Sequence, residues 1–140
     1  MNFTRVLEPV KDVELGKSIA QNAGTFWMYW AVFNVGIGLL FLIDSLLEKN
    51  GVSFRTLIPF FSGMVCFGAG YTIKTYHSLG ASILLLLYAV AGISVAGYLF
   101  TDNKIAGAVQ FGISYLLLVV TYRTVLGTWF LKTHGTHKNV

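Results

Sequence analysis

Three polar side chains inside apolar segments are the residues of this 140-residue sequence with the greatest scope for chemistry: Asn34, Asp44 and Gln110. An amide or carboxylate is costly beside hydrocarbon, so we expect each one either to contact a neighbouring helix or to line a polar path. Asp44 stands near the end of its segment, just before Glu48 and Lys49. We therefore interpret Asp44 first as part of a solvated helix end; a proton- or cation-responsive carboxylate that faces the bundle is the alternative.

Other reactive side chains are sparse in this sequence. Cys66 is the single cysteine, which excludes an intrachain disulfide and a Cys-x-x-Cys redox pair. The histidines His77, His134 and His137 have a spacing that matches no strong metal-binding pattern. No nucleophile motif and no pair of carboxylates for acid–base catalysis is present in the sequence. We therefore expect no catalytic residue, no cofactor, no metal and no enzyme activity. An enzyme that acts on lipid or quinone is the least favoured of three functional hypotheses; the other two are given below.

The composition predicts the elements that hold these residues. Hydrophobic residues make up 55% of the chain and charged residues 11%, whereas an ordinary globular domain has about 25% charged residues. A helix crosses a bilayer with about 20 apolar residues, and four segments meet this need: residues 26–47, 56–73, 81–100 and 105–122. Their apolar runs lack the alternation of barrel strands. The sequence predicts an all-α integral membrane protein, an antiparallel bundle of four transmembrane helices.

The four spans and an interfacial extension at 123–131 form one predicted transmembrane domain, residues 26–131. Residues 1–25 are predicted to be a cytoplasmic or interfacial segment, and residues 132–140 a cytoplasmic tail. Residues 10–22 follow Pro9 and have apolar side chains near helical spacing, which predicts a short amphipathic helix on the inner membrane surface. A partner-docking helix is the alternative. Aromatic residues such as Trp27 and Tyr29 are predicted to be interfacial anchors.

The distribution of basic residues predicts the orientation. Seven of the ten Lys and Arg residues lie on the side that holds both termini and the middle loop. Because such residues prefer the cytoplasmic side, we expect both termini in the cytoplasm, with a bacterial inner (plasma) membrane as the location. Lys74 and Arg123 then mark the inner ends of the second and fourth spans. The net charge of +4 fits anionic lipid headgroups, and we expect no nucleic-acid partner.

A weak internal repeat relates the two halves of the chain. A shift of 49 residues places Gly63 on Gly112 and Lys74 on Arg123, and Thr-Ile-Lys-Thr on Thr-Tyr-Arg-Thr. Tandem duplication of a helical hairpin explains this match, and so does the shared composition of membrane helices. Both explanations stay open.

Small residues recur every fourth position within the spans, a spacing that lets helix backbones approach closely: Ser62, Cys66, Gly70, Gly92, Ala96, Ala108 and Gly112. We expect a non-catalytic accessory subunit or modulator of a membrane protein complex. This class includes immunity proteins, which shield another membrane protein. Its partners are the lipid bilayer and, through helix–helix contacts, another membrane protein or a second copy of itself. The alternative is a small homo-oligomeric channel or transporter lined by Asn34, Asp44 and Gln110.

The orientation can be tested with a reporter fused after Val140. A reporter that is active only in the cytoplasm should be active in this fusion, because the basic residues favour an inner C-terminus. Activity of a matched reporter that works only outside the cytoplasm would reverse the orientation.

Overall fold

The described residues form an all-helical bundle in a computed structural model of the chain. The structure describes residues 10–47 and 54–134, apart from the side chains at 54–56, 98–100 and 102. The four helices of these ranges are α1 (Val13–Leu47), α2 (Phe54–Tyr76), α3 (Leu79–Asp102) and α4 (Lys104–His134). Each is long and apolar enough to cross a membrane. The predicted all-α class with four candidate spans is confirmed.

Side-chain caps set where two of the helices begin. Asp12 Oδ1 accepts the backbone N–H of Leu15 at 2.7 Å, and Asn103 Oδ1 accepts that of Ala106 at 3.1 Å. Both bonds satisfy a donor that has no partner within the helix, which is why Asp and Asn favour this position. Asn103 alone separates α3 from α4. These two helices run in opposite directions, since Ser82 meets Thr128 while Gly92 meets Ser114.

The helices form an antiparallel bundle of two hairpins. Helix α1 packs most extensively on α2, and α3 on α4; contacts between α1 and α4 join the hairpins, with a smaller interface between α2 and α3. The antiparallel direction of α1 and α2 follows from their paired positions, since Gly24 meets Gly70 while Gly38 meets Phe60. The predicted duplication of a hairpin is not tested by this packing and stays a prediction.

The backbones of α1 and α2 approach each other closely at Gly24 and Gly70. A Cβ added at Gly24 would lie 2.6 Å from the Gly70 carbonyl oxygen and 2.7 Å from Lys74 Cβ. A Cβ added at Gly70 would lie 2.8 Å from the Gly24 carbonyl oxygen. No side chain fits between the backbones of α1 and α2 at this level, so only glycine at both positions permits the crossing.

The core next to this crossing is aromatic. Trp27 is fully buried and its ring meets Tyr88 of α3 edge to face, with centroids 5.9 Å apart. The Tyr88 hydroxyl lies 2.7 Å from Ser62 Oγ of α2. The prediction of Trp27 as an interfacial anchor is therefore wrong: the small residues around it leave room for the indole between helices. Tyr29, by contrast, is 70% exposed.

The separate amphipathic helix predicted for residues 10–22 is also corrected. Residues 13–22 are the first turns of the continuous helix α1. The buried residues of these turns, Gly16, Ile19 and Ala20, belong to the bundle, where Gly16 and Ile19 lie against Gly127 of α4. The predicted extension at 123–131 is a helical continuation of α4, which is helical to His134. Residues 1–9 and the predicted tail beyond His134 lie outside the described residues.

Burial is concentrated in one half of α1. Seven of its eight buried residues fall between Gly16 and Ala31, and Gly38 is the last. The most hydrophobic stretch of α1 has only 11% of its residues buried. The second half of α1 therefore presents its large apolar side chains outward: Leu39, Leu40, Phe41, Ile43, Leu46 and Leu47.

Replacement of the crossing glycines should separate α1 from α2. We expect Gly24→Ala to destabilise the fold by about 1–3 kcal/mol, because the added methyl meets backbone atoms that cannot move aside. Gly68→Ala is the matched control, since a Cβ there meets nothing within 4 Å and alanine favours helix by up to ~1 kcal/mol. Unfolding in mixed micelles, followed by circular dichroism, measures both; equal stability of the two variants would contradict the tight crossing.

Candidate functional site

Among the described residues, the three polar side chains predicted for a path or for interhelical contacts make no hydrogen bond to another helix. Asn34 Nδ2 donates to the Trp30 carbonyl oxygen of its own helix at 2.8 Å. Gln110 Nε2 donates to Ser114 Oγ, also in its own helix, at 3.2 Å. Asp44 is exposed on α1. Each side chain is thus placed locally, and the structure does not bring the three together through hydrogen bonds.

The predicted small-residue positions fall into two groups. Five are buried or half-buried: Ser62, Cys66, Gly70, Gly92 and Ala96. At Gly92 an added Cβ would lie 2.7 Å from Ser114 Oγ of α4. The remaining two, Ala108 and Gly112, are exposed and do not pack within the bundle, because α4 turns other residues inward. A spacing of four residues identifies a helix face without indicating whether that face is inside.

Buried hydroxyl groups on α4 were not anticipated from the sequence. Thr121, Thr124 and Thr128 are fully buried, and each hydroxyl donates to the carbonyl four residues earlier. Thr128 Oγ1 also lies 3.2 Å from Ser82 Oγ of α3. Hydrogen bonds to the preceding turn satisfy these groups inside the bundle, so they are structural rather than nucleophilic. Their spacing of three and four residues was the available signal.

A positively charged cavity of about 710 Å³ opens at one end of the bundle, where α1 begins, α4 ends and α2 turns into α3. Four basic side chains line it: Lys17, His77, Lys132 and His134. We call this cavity the basic pocket. The acidic residues that begin α1, Asp12 and Glu14, are not among its lining residues. The pocket can therefore attract anions, and its volume is in the range of small-molecule sites.

A glycine contact between α1 and α4 fixes two walls of the basic pocket. A Cβ added at Gly16 would lie 3.2 Å from the Leu131 side chain and 3.4 Å from the Gly127 carbonyl oxygen. This approach holds Lys17 of α1 near the turn of α4 that carries Lys132. This contact was not predicted from the sequence, although Gly16, Ala20 and Gly24 repeat the same four-residue spacing.

The third wall is the two-residue turn between α2 and α3. Ser78 Oγ accepts the Ala81 N–H at 3.3 Å and so caps α3. Ser82 Oγ donates to the Ser78 carbonyl oxygen at 3.0 Å, and the Ser82–Thr128 contact then links this turn to α4. The turn is thus attached to both helices of the second hairpin.

His77 has an uncommon backbone conformation at this turn. Its φ is 51°, and its N–H donates to the Ile73 carbonyl oxygen at 3.0 Å, which ends α2 in a left-handed cap where glycine is the usual residue. Nε2 of its ring is buried without a hydrogen-bond partner among the described residues. Burial, and secondarily the charge of Lys17, lowers the pKa of His77 below its ordinary value of 6.5. At neutral pH its imidazole is therefore uncharged.

The residues predicted to mark the inner ends of spans do not line the basic pocket. Lys74 is exposed and packs its Cβ beside Gly24, while Arg123 is half-buried. The pocket instead brings together His77 and His134, which are distant in sequence. No three His, Cys, Asp or Glu side chains in the described ranges are grouped as a metal site would require. His137 lies outside those ranges.

Comparison of the chain with protein-family models, with curated proteins and with solved structures gives no match. Function must be inferred from the geometry of the chain itself.

The environment of His77 can be tested by titration of its imidazole by NMR, with His77→Gln to assign the signal. The midpoint should lie below 6.5, and Lys17→Gln should raise it because a nearby positive charge is removed. Lys74→Gln is the control and should leave the midpoint unchanged.

Because the unfolded chain binds this proton at higher pH, the contribution of His77 to stability should fall as pH drops through 6.5. A wild-type midpoint above 6.5 would contradict the burial of the ring.

Proposed function

We propose that this protein is a small, non-catalytic membrane protein that acts as an accessory subunit or modulator of a membrane protein complex. In this proposal the four helices span a bacterial plasma membrane with both termini in the cytoplasm. Contact with the partner is made by helix packing within the bilayer, and the partner is another membrane protein or a second copy of the chain.

A groove on the outside of the bundle carries this proposal. It lies between α1 and α2, has a volume of about 360 Å³ and is lined by small and apolar residues: Ala31, Val32, Val35, Gly63, Met64, Phe67 and Gly68. A Cβ added at Gly68 would meet nothing within 4 Å, so this glycine serves no contact inside the bundle. Glycine on an outer helix face lets another helix approach closely, which is how helices associate in lipid.

The exposed surface supports insertion into a bilayer. Large apolar side chains are exposed on all four helices, with Leu47 77% exposed on α1 and Ile105 78% on α4. Soluble proteins rarely expose continuous apolar patches of more than a few hundred Å². The same side chains are in a favourable environment beside lipid tails or beside a partner helix.

The interior supports a structural rather than a catalytic role. The buried threonine hydroxyls of α4 donate to backbone carbonyls, and the amides of Asn34 and Gln110 bond within their own helices. Trp27, Ile73 and Leu85 fill the space between helices and are fully buried. The alternative of a channel or transporter therefore draws no support from the packing of one protomer.

The proposal can be tested by native extraction of a tagged protein from its own membranes in mild detergent. We expect a stoichiometric complex, and Gly68→Leu should reduce recovery of the partner about tenfold because leucine fills the groove. Gly97→Leu is the matched control, since Gly97 also has open space around it but lies on α3, outside the groove.

Two results would count against this function. A chain that is extracted as a monomer without a stoichiometric partner would contradict the subunit role. Flux of protons or common ions through proteoliposomes of the purified protein, above that of empty vesicles, would favour the channel instead.

A further inference from the structure

We propose that the basic pocket binds the headgroup phosphate of an anionic phospholipid in the inner leaflet of the membrane. The inference rests on the membrane insertion proposed above, and it is independent of the outer groove between α1 and α2.

Fixed positive charge is the first reason. Lys17 and Lys132 reach the basic pocket from α1 and α4, and neither has an ion-pair partner among the described residues. Lysine binds phosphate as a compact point charge. The two ammonium groups come from helices held together at Gly16 and Gly127, so the charge is concentrated by the fold rather than by sequence neighbours.

The first turn of α3 supplies hydrogen-bond donors to the same cavity. Ser78, Leu79 and Gly80 line it, and the N-terminal N–H groups of a helix favour an anion. A Cβ added at Gly80 would meet only Ser78 Oγ, at 3.9 Å. The backbone of this turn is therefore open to a ligand that approaches from the pocket.

Apolar residues in the lining distinguish a lipid from a free phosphate ion. Val13, Leu79 and Leu131 form part of the wall beside the lysines. Inorganic phosphate gains nothing from such a surface, whereas the glycerol and upper acyl carbons of a phospholipid are buried by it. Basic pockets between membrane helices on the cytoplasmic side are typical binding sites for anionic headgroups.

The length of the helices places the pocket at headgroup depth. With 35 residues α1 is about 52 Å long, and with 31 residues α4 is about 46 Å long, against roughly 30 Å of hydrocarbon. At the end with the pocket α1 carries Glu14 and Lys17 and α4 carries Lys132 and His134, and charged side chains of this kind are placed outside the hydrocarbon. Both polar ends lie together because Gly16 contacts Gly127, so they emerge from the same face of the bilayer.

The experiment uses the full chain in nanodiscs of phosphatidylcholine with a minor fraction of phosphatidylglycerol. Native mass spectrometry then counts the lipids that remain bound. Wild-type protein should retain phosphatidylglycerol over phosphatidylcholine, and Lys17→Gln with Lys132→Gln should reduce this preference about tenfold. Lys74→Gln is the single-charge control at the same end of the bundle, outside the pocket, and should change it less than twofold.

Two further measurements separate charge from folding and lipid from free ion. The variant with Lys17→Arg and Lys132→Arg should keep the preference, because the charges remain. Millimolar inorganic phosphate should not displace the lipid. The pKa of His77 should rise in phosphatidylglycerol, because a bound anion then lies in the pocket beside its ring. The other titratable groups that line this pocket are Lys17, Lys132, His134 and Tyr76.

Several outcomes would overturn the inference. Equal retention of the two lipids would show that the pocket does not select an anionic headgroup. If Lys74→Gln reduced the preference for phosphatidylglycerol as much as the double variant does, the preference would come from general surface charge. Displacement by inorganic phosphate shows that the site takes the free ion. A chain that does not enter nanodiscs overturns the spanning proposal together with this one, whereas a chain that enters and shows no preference overturns this one alone.

Discussion

The direct contact between the backbones of α1 and α2 at Gly24 and Gly70 is the constraint on which the bundle depends. An added Cβ would lie within 2.8 Å of the opposite backbone at either position, so the distance between these helices is set by main-chain atoms. This distance leaves room for Trp27 beside the crossing, and Trp27 in turn meets Tyr88 of α3. The position of the second hairpin, α3 and α4, therefore depends on Trp27, which the crossing of α1 and α2 leaves available for contact with Tyr88.

A second contact between glycines lies at the end of the bundle, beside the basic pocket. Gly16 and Gly127 bring α1 and α4 together, and the lysines that follow on each helix line the basic pocket. Inside the bundle the threonine hydroxyls of α4 bond to their own helix, and Ser62 and Ser82 bond across helices to Tyr88 and Thr128. At the end of the bundle, Lys17 and Lys132 have no ion-pair partner among the described residues. The charged side chains that are available to bind a ligand are thus concentrated at the end of the bundle that carries the basic pocket.

The sequence was sufficient for the helical class and for the approximate location of the spans, because twenty-residue apolar runs allow few other structures. It could not indicate which face of each helix is buried: Gly112 faces outward and Trp27 inward, although small residues suggest packing and tryptophan suggests an interface. Hydropathy locates the apolar part of a membrane helix, while the rotation of the helix depends on its neighbours. For the same reason the basic pocket was not predicted, since its four basic residues come from three separate parts of the chain.

The glycine crossing also has a mechanical consequence. Side chains between two helices can change rotamer and absorb a small displacement, but two backbones in contact cannot. Close contact recurs along the same interface, since a Cβ added at Gly63 of α2 would lie 3.0 Å from the Ala31 carbonyl oxygen of α1, and one added at Gly38 of α1 would lie 2.9 Å from the Phe60 ring of α2. We therefore expect α1 and α2 to behave as one rigid unit. Relative motion within the bundle would then occur at the smaller interfaces that this unit makes with α3 and α4.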